Sequence, residues 1–160
     1  MQSSSQDPAK VLVVEPHPTL RTVLVQRLRQ DGHLTAAVGS PDEAIDLCRE
    51  QTPDLLVSAE LIDQSSALRL AVKLGCPVIV LTARSGSEAL VDLLDEGADD
   101  VMRKPFGLEE LAARCRTLLK RGRSGLQERV TVGPLEVHLL LVLQECLAPL
   151  MEPRLLEVHK

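Results

Sequence analysis

Apolar residues return along this chain in two alternating rhythms. Lys10–Val14 (KVLVV) is a short, almost unbroken run of branched aliphatic side chains, the pattern of a strand covered on both faces. Thr19–Gln30 then places Leu20, Val23, Leu24 and Leu28 at helical spacing, with Arg21, Arg27 and Arg29 at other positions and Gly32 closing the segment. The alternation recurs to residue 121. Strands are predicted at Leu34–Val38, Leu55–Ala59, Pro77–Leu81 and Val101–Met102. Helices are predicted from Pro41 onward, over Ala67–Leu74, over Glu88–Glu96 and over Leu108–Leu119. Ser40-Pro41-Asp42-Glu43 carries a capping residue, a proline at the first helical position and the glutamate of a capping box. Ala44, Leu47 and Cys48 are expected to face inward from that helix, and Leu111, Cys115 and Leu118 from the last one. Short strands alternating with helices imply an α/β fold: a five-stranded parallel sheet, doubly wound, with helices on both faces.

In such sheets ligands bind outside the carboxyl ends of the strands. That directs attention to Glu15-Pro16, Gly39-Ser40, Ala59-Glu60, Thr82-Ala83 and Lys104-Pro105. The flanks read differently. Residues 1–9 are polar and expected to be disordered. Gly122–Gly125 (GRSG) suggests a linker over residues 122–129. Val130–His138 alternates like a pair of strands around Gly133-Pro134, and Leu139–Leu147 is strongly apolar. Residues 130–160 are too few for a self-sufficient core.

Composition narrows the function classes. Of 160 residues 44% are hydrophobic but only one is aromatic, Phe106, so the core must be aliphatic and base-stacking platforms are not expected. The net charge of −5 argues against a compact nucleic-acid binder, although Lys120, Arg121, Arg123 and Arg129 cluster late in the chain. Cys48, Cys76, Cys115 and Cys146 are widely spaced and form no CxxC or Cys/His cluster, so they are expected as small packed hydrophobes, with no metal. No segment has the length and character of a membrane span, and a cytoplasmic location is expected. No cofactor is called for: a flavodoxin-like enzyme or nucleotide binder would need a glycine-rich phosphate loop or catalytic triad that the sequence lacks.

Several motifs carry a family resemblance. KVLVVE, PDLLVSAEL, VIVLTAR, GADDVMRKPF and LEELAARCRTLLKR resemble the receiver domain of two-component response regulators, the CheY-like fold, over residues 10–121. The resemblance implies two acidic residues holding Mg²⁺ after the first strand, a phosphoacceptor Asp ending the third, and a Thr and a Lys that contact the phosphoryl group. Glu15 fills the first acidic position, and Thr82 and Lys104 match theirs. Pro16 stands at the second acidic position and Ala59 at the acceptor. A methyl group cannot form an acyl phosphate, and Mg²⁺ requires oxygen ligands. Loss of phosphorylation is therefore expected, with Thr82 and Lys104 as structural remnants. Two alternatives stay open: Glu60 filling the acceptor position through a one-residue slip, or Ser58 accepting the phosphoryl group. Val101 stands where the family's switch aromatic lies, and it has no comparable rotor.

GADD and the final helix resemble the OmpR/PhoB subfamily, which implies a homodimer through the fourth helix, fifth strand and fifth helix. Leu90, Leu94, Asp99, Asp100, Glu110, Arg114 and Arg121 would form that face, with Leu90 and Leu94 contributing more than the ion pairs. A regulatory protein partner is also expected. VTVGPLEVH resembles the opening strands of that subfamily's winged-helix domain. No recognition helix follows, so sequence-specific DNA binding by this chain is not expected.

Overall fold

The computed structural model describes residues 7–60 and 66–131. The chain divides into two units, Met1–Arg121 and Gly122–Lys160, and the first contains the whole sheet. Its elements are β1 (Lys10–Val14), α1 (Pro18–Gln30), β2 (Leu34–Val38), α2 (Pro41–Leu47), β3 (Leu55–Ala59), α3 (Ser66–Leu74), β4 (Val78–Thr82), α4 (Ser87–Asp95), β5 (Asp100–Arg103) and the start of α5 (Leu108–Thr131). All strand pairs are parallel, in the order β2-β1-β3-β4-β5. This is the doubly wound α/β sheet that the hydrophobic pattern predicts.

Each strand covers two cores because its side chains alternate. Val11, Val13, Leu55, Val57, Ile79, Leu81 and Met102 pack on one face with Leu24 and Leu28 of α1 and Leu111, Cys115, Leu118 and Leu119 of α5. Leu12, Val14, Leu56, Val78, Val80 and Val101 pack on the other with α2, α3 and α4. The three inward positions expected on α5 are thus buried. Burial also pushes the Cys115 thiol up to about 12 and Cys76 to about 11, as suits packed hydrophobes. Cys146 lies outside the described residues.

Several boundaries and faces differ from expectation. β4 starts at Val78 because Pro77 has no N–H for the ladder. Thr82 extends β4, its carbonyl accepting from the Lys104 N–H at 2.8 Å. Ala9, expected to be disordered, is 4% exposed, and its carbonyl accepts from the Leu34 N–H at 2.8 Å. On α2 the inner face is Ala44, Ile45 and Cys48, while Leu47 is 51% exposed. Of the expected Ala44, Leu47 and Cys48, the first and last do face inward, and Ile45 takes the place expected of Leu47.

The largest difference is in α5, predicted to stop at Leu119. It continues through Gly122–Gly125 to Thr131, taking in the expected linker and the first two residues of the expected strand pair. Two glycines cost a helix roughly 1 kcal/mol each relative to alanine, and the following Leu126-Gln127-Glu128-Arg129 favours helix strongly enough for the turn pattern to persist. The rest of the expected output segment, residues 132–160, lies outside the described residues.

Candidate functional site

β1 and β3 are neighbours at the centre of the sheet, and the chain leaves them in opposite directions: β1 leads to β2, β3 to β4. That is a topological switch point, where a crevice opens above the strand ends. Glu15 is the first residue past β1, and its N–H still bonds the Val38 carbonyl at 3.1 Å. Its side chain is 3% exposed. A carboxylate so little hydrated needs partners, and both oxygens have one. Oε2 accepts from Lys104 Nζ at 2.9 Å and Oε1 from the His17 N–H at 3.1 Å. Pro16, between them, offers neither an oxygen-bearing side chain nor an N–H. Arg21 arches over to donate to the Glu15 main-chain carbonyl at 2.9 Å. A Cβ at Gly39 would come within 2.9 Å of Arg21 Nη1, so a glycine there clears the guanidinium's path.

Ala59 ends β3, is 4% exposed and pairs with Leu81 of β4. In that register Ala59 takes the last strand position, and Glu60, the residue of the open alternative, the position after it. The Glu60 N–H does carry the ladder one step further, donating to the Leu81 carbonyl at 2.8 Å. Its side chain then turns toward β4. Oε2 accepts a short hydrogen bond from the Thr82 hydroxyl, and Oε1 pairs with Arg84 Nη2 at 2.7 Å. The Thr82 oxygen in turn accepts from the Arg84 N–H at 3.1 Å. Ser58 is fully buried and donates to the Ala59 carbonyl at 2.9 Å, a packed hydroxyl with no path to solvent.

The strand ends therefore hold two couples, Glu15 with Lys104 and Glu60 with Thr82 and Arg84; in the second the Glu60 Oε1–Arg84 contact is an ion pair outside hydrogen-bond geometry, and Arg84 Nε is buried without a hydrogen-bond partner. The first brings together two residues that the sequence marks out. The second includes Arg84, which the sequence reading passes over although it sits in the VIVLTAR motif two residues after Thr82. The Mg²⁺ ion that the resemblance implies at these strand ends does not fit these residues. The Glu15 carboxylate is bonded to an ammonium group, and neither Pro16 nor Ala59 supplies a side-chain oxygen. Among the described residues no three potential metal ligands converge.

The α4–β5–α5 side has a different character. Leu94 and Val91 are 47% and 52% exposed, while Leu90 is half-buried against the second core. Asp99 is turned toward the sheet, its carboxylate accepting from the Val78 N–H at 2.8 Å. Arg114 grips Asp100 with two hydrogen bonds, at 2.8 and 2.9 Å, and Glu110 at 2.7 Å. Arg121 is exposed. Val101 is buried in the second core. No described helix is long and apolar enough to cross a membrane.

Similarity to known proteins falls on the same segment. Residues 11–116 match the response regulator receiver domain family. The chain is 38% identical over 135 residues to the two-component response regulator PhoP of Pseudomonas aeruginosa, covering 81% of this chain and 60% of that protein. It is 33% identical over 132 residues to the DNA-binding response regulator MtrA of Mycolicibacterium smegmatis, covering 80% and 58%. It thus spans about three fifths of the length of these relatives. The receiver domain of a Francisella response regulator superposes with a TM-score of 0.65 at 29% identity, over 71% of this chain and 98% of that one.

Proposed function

The chain belongs to the response regulator receiver domain family, with relatives of the OmpR/PhoB type, and from that premise we propose that it is an atypical member, signalling in the cytoplasm through protein interaction without phosphorylation. One observation carries the reading. A methyl group, Ala59, ends β3 where a nucleophilic carboxylate is required, and the nearby carboxylates are already bonded within the chain. Thr82 and Lys104, the residues that would contact a phosphoryl group, are bonded to Glu60 and Glu15 instead.

The interaction is a homodimer through α4, β5 and α5, centred on Leu94 with Val91 and Leu90 beside it, and serves transcriptional regulation together with a regulatory protein partner. Apolar area carries this contact, because Arg114, Asp100 and Glu110 already satisfy one another within the protomer. DNA binding is no part of the proposal.

Incubation with acetyl phosphate and Mg²⁺, followed by intact mass measurement, tests the reading. No gain of a phosphoryl group is expected. An acid-labile adduct on Glu60, or an acid-stable one on Ser58, would restore the conventional phospho-accepting alternative. Pro16→Asp combined with Ala59→Asp is expected to regain some phosphoryl uptake only when Thr82 and Lys104 are released to contact the group, and so chiefly when Glu60→Ala is added.

A further inference from the structure

Glu60 makes a connection that loss of the acceptor does not require. Its side chain is 10% exposed, so its charge is held by partners rather than by water. Those partners lie on the next strand and the loop beyond it: the Thr82 hydroxyl at the end of β4, and the Arg84 guanidinium two residues later. Thr82 is fully buried and its oxygen is used twice, donating to Glu60 and accepting from the Arg84 N–H. Arg84 is therefore held through its main chain by Thr82 and through its side chain by Glu60, which closes a ring of three residues. The other end of this loop is fixed as well. The Gly86 carbonyl accepts from Arg103 Nη2 of β5 at 3.0 Å, and the Gly86 φ of +97° is one that side chains other than glycine rarely adopt. α4 begins at the next residue and carries Leu90, Val91 and Leu94.

We propose that the Glu60 carboxylate is a resident anionic ligand: it occupies an oxyanion site formed by Thr82 and Arg84, and by doing so fixes the β4–α4 loop from which α4 starts. Glu60 and Arg84 are positioning residues on this view. The carboxylate supplies charge and acceptor oxygens from within the chain, so the loop keeps one conformation without any external ligand. Inorganic phosphate, which offers the same kind of oxygens, should enter only when Glu60 has been removed. The inference rests on the phosphorylation-independent reading, since an external phosphoryl group would compete for Thr82.

Amide hydrogen exchange on the full chain tests it. In wild type the N–H of Arg84 is expected to be protected. Glu60→Ala and Arg84→Met should each speed exchange at residue 84 by at least about tenfold, and the double variant should be no faster than the singles. Titration with inorganic phosphate should move the amide resonances of residues 82 and 84 in Glu60→Ala and leave those of wild type unmoved. If Glu60→Ala does not fold cooperatively, Arg84→Met reads the same link through residue 84. Wild-type exchange at residue 84 in whichever variant folds would overturn the proposal, and so would a wild type that takes up phosphate as readily as Glu60→Ala. Phosphoryl uptake by wild type from acetyl phosphate is a separate result. It would remove the phosphorylation-independent reading while leaving the exchange measurement to judge the loop on its own.

Discussion

The ion pairs at the strand ends and those on the α5 surface have nearly the same lengths. Glu15–Lys104 and Glu60–Arg84 close at 2.9 and 2.7 Å, Arg114–Asp100 and Arg114–Glu110 at 2.8 and 2.7 Å. Distance cannot rank them. Burial can: the carboxylate side chains of the first set are 3% and 10% exposed, those of the second 24% and 56%. Screened surface pairs contribute little, whereas a buried carboxylate deprived of its cation costs several kcal/mol. The strand ends are therefore a place where charge is locked in, and the α5 surface one where charge is incidental and the apolar side chains beside it matter more.

Breaking a buried couple should have the largest effect. Lys104→Met leaves the Glu15 carboxylate with only the His17 N–H, and a loss of about 3 kcal/mol in unfolding free energy is expected by denaturant titration. A loss below about 1 kcal/mol would put this couple in the same class as the surface pairs. On the other side of the comparison, Leu94→Glu should raise the dissociation constant of the proposed dimer at least about tenfold, since it puts a charge at the centre of an apolar contact. Arg114→Ala should change that constant by less than about threefold, because its bonds are internal to the protomer. Sedimentation separates these outcomes, and a wild type that is monomeric at high concentration would remove the face itself.

A third, largely buried carboxylate, Asp31, lies where α1 meets α5, its side chain 15% exposed. Burial pushes its carboxyl up, but hydrogen bonds from Arg27 and Arg116 outweigh it and hold the group below its ordinary value. A depressed folded-state value means stabilisation that is present above the ordinary carboxylate range and fades as pH falls through the lower, folded one. Asp31→Asn is thus expected to lower stability at neutral pH, with the gap to wild type closing in acid. A pH-independent gap would show that packing, not charge, links these helices.

Much of the fold was legible because the hydrophobic period switches at punctuated points. β1, β2 and β3 lie where their aliphatic runs predict, and strand alternation sorts Val11 and Val13 from Leu12 and Val14. Leu47 was misplaced because α2 has only seven residues, fewer than two full turns from which to fix a phase. The extent of α5 was missed because Gly122 and Gly125 resemble linker residues, while the helix propensity beyond them is a sum over several positions. At the candidate site, Glu15, Ala59, Thr82 and Lys104 could be found by counting from strand ends. The Glu60 contact could not. Alternation stops being a guide after the last ladder residue, and the direction of a side chain there depends on which partner, here Thr82 and Arg84, lies within reach.

Ala59 also bears on time. An acyl phosphate decays at its own rate, and that decay tells a signalling protein when to stop. With a methyl group at the end of β3, the proposed mode of action has no such clock. The protein would be on from the moment it folds until it is degraded. How much of it is made, and how quickly it is removed, would then carry the information that a phosphoryl group carries elsewhere.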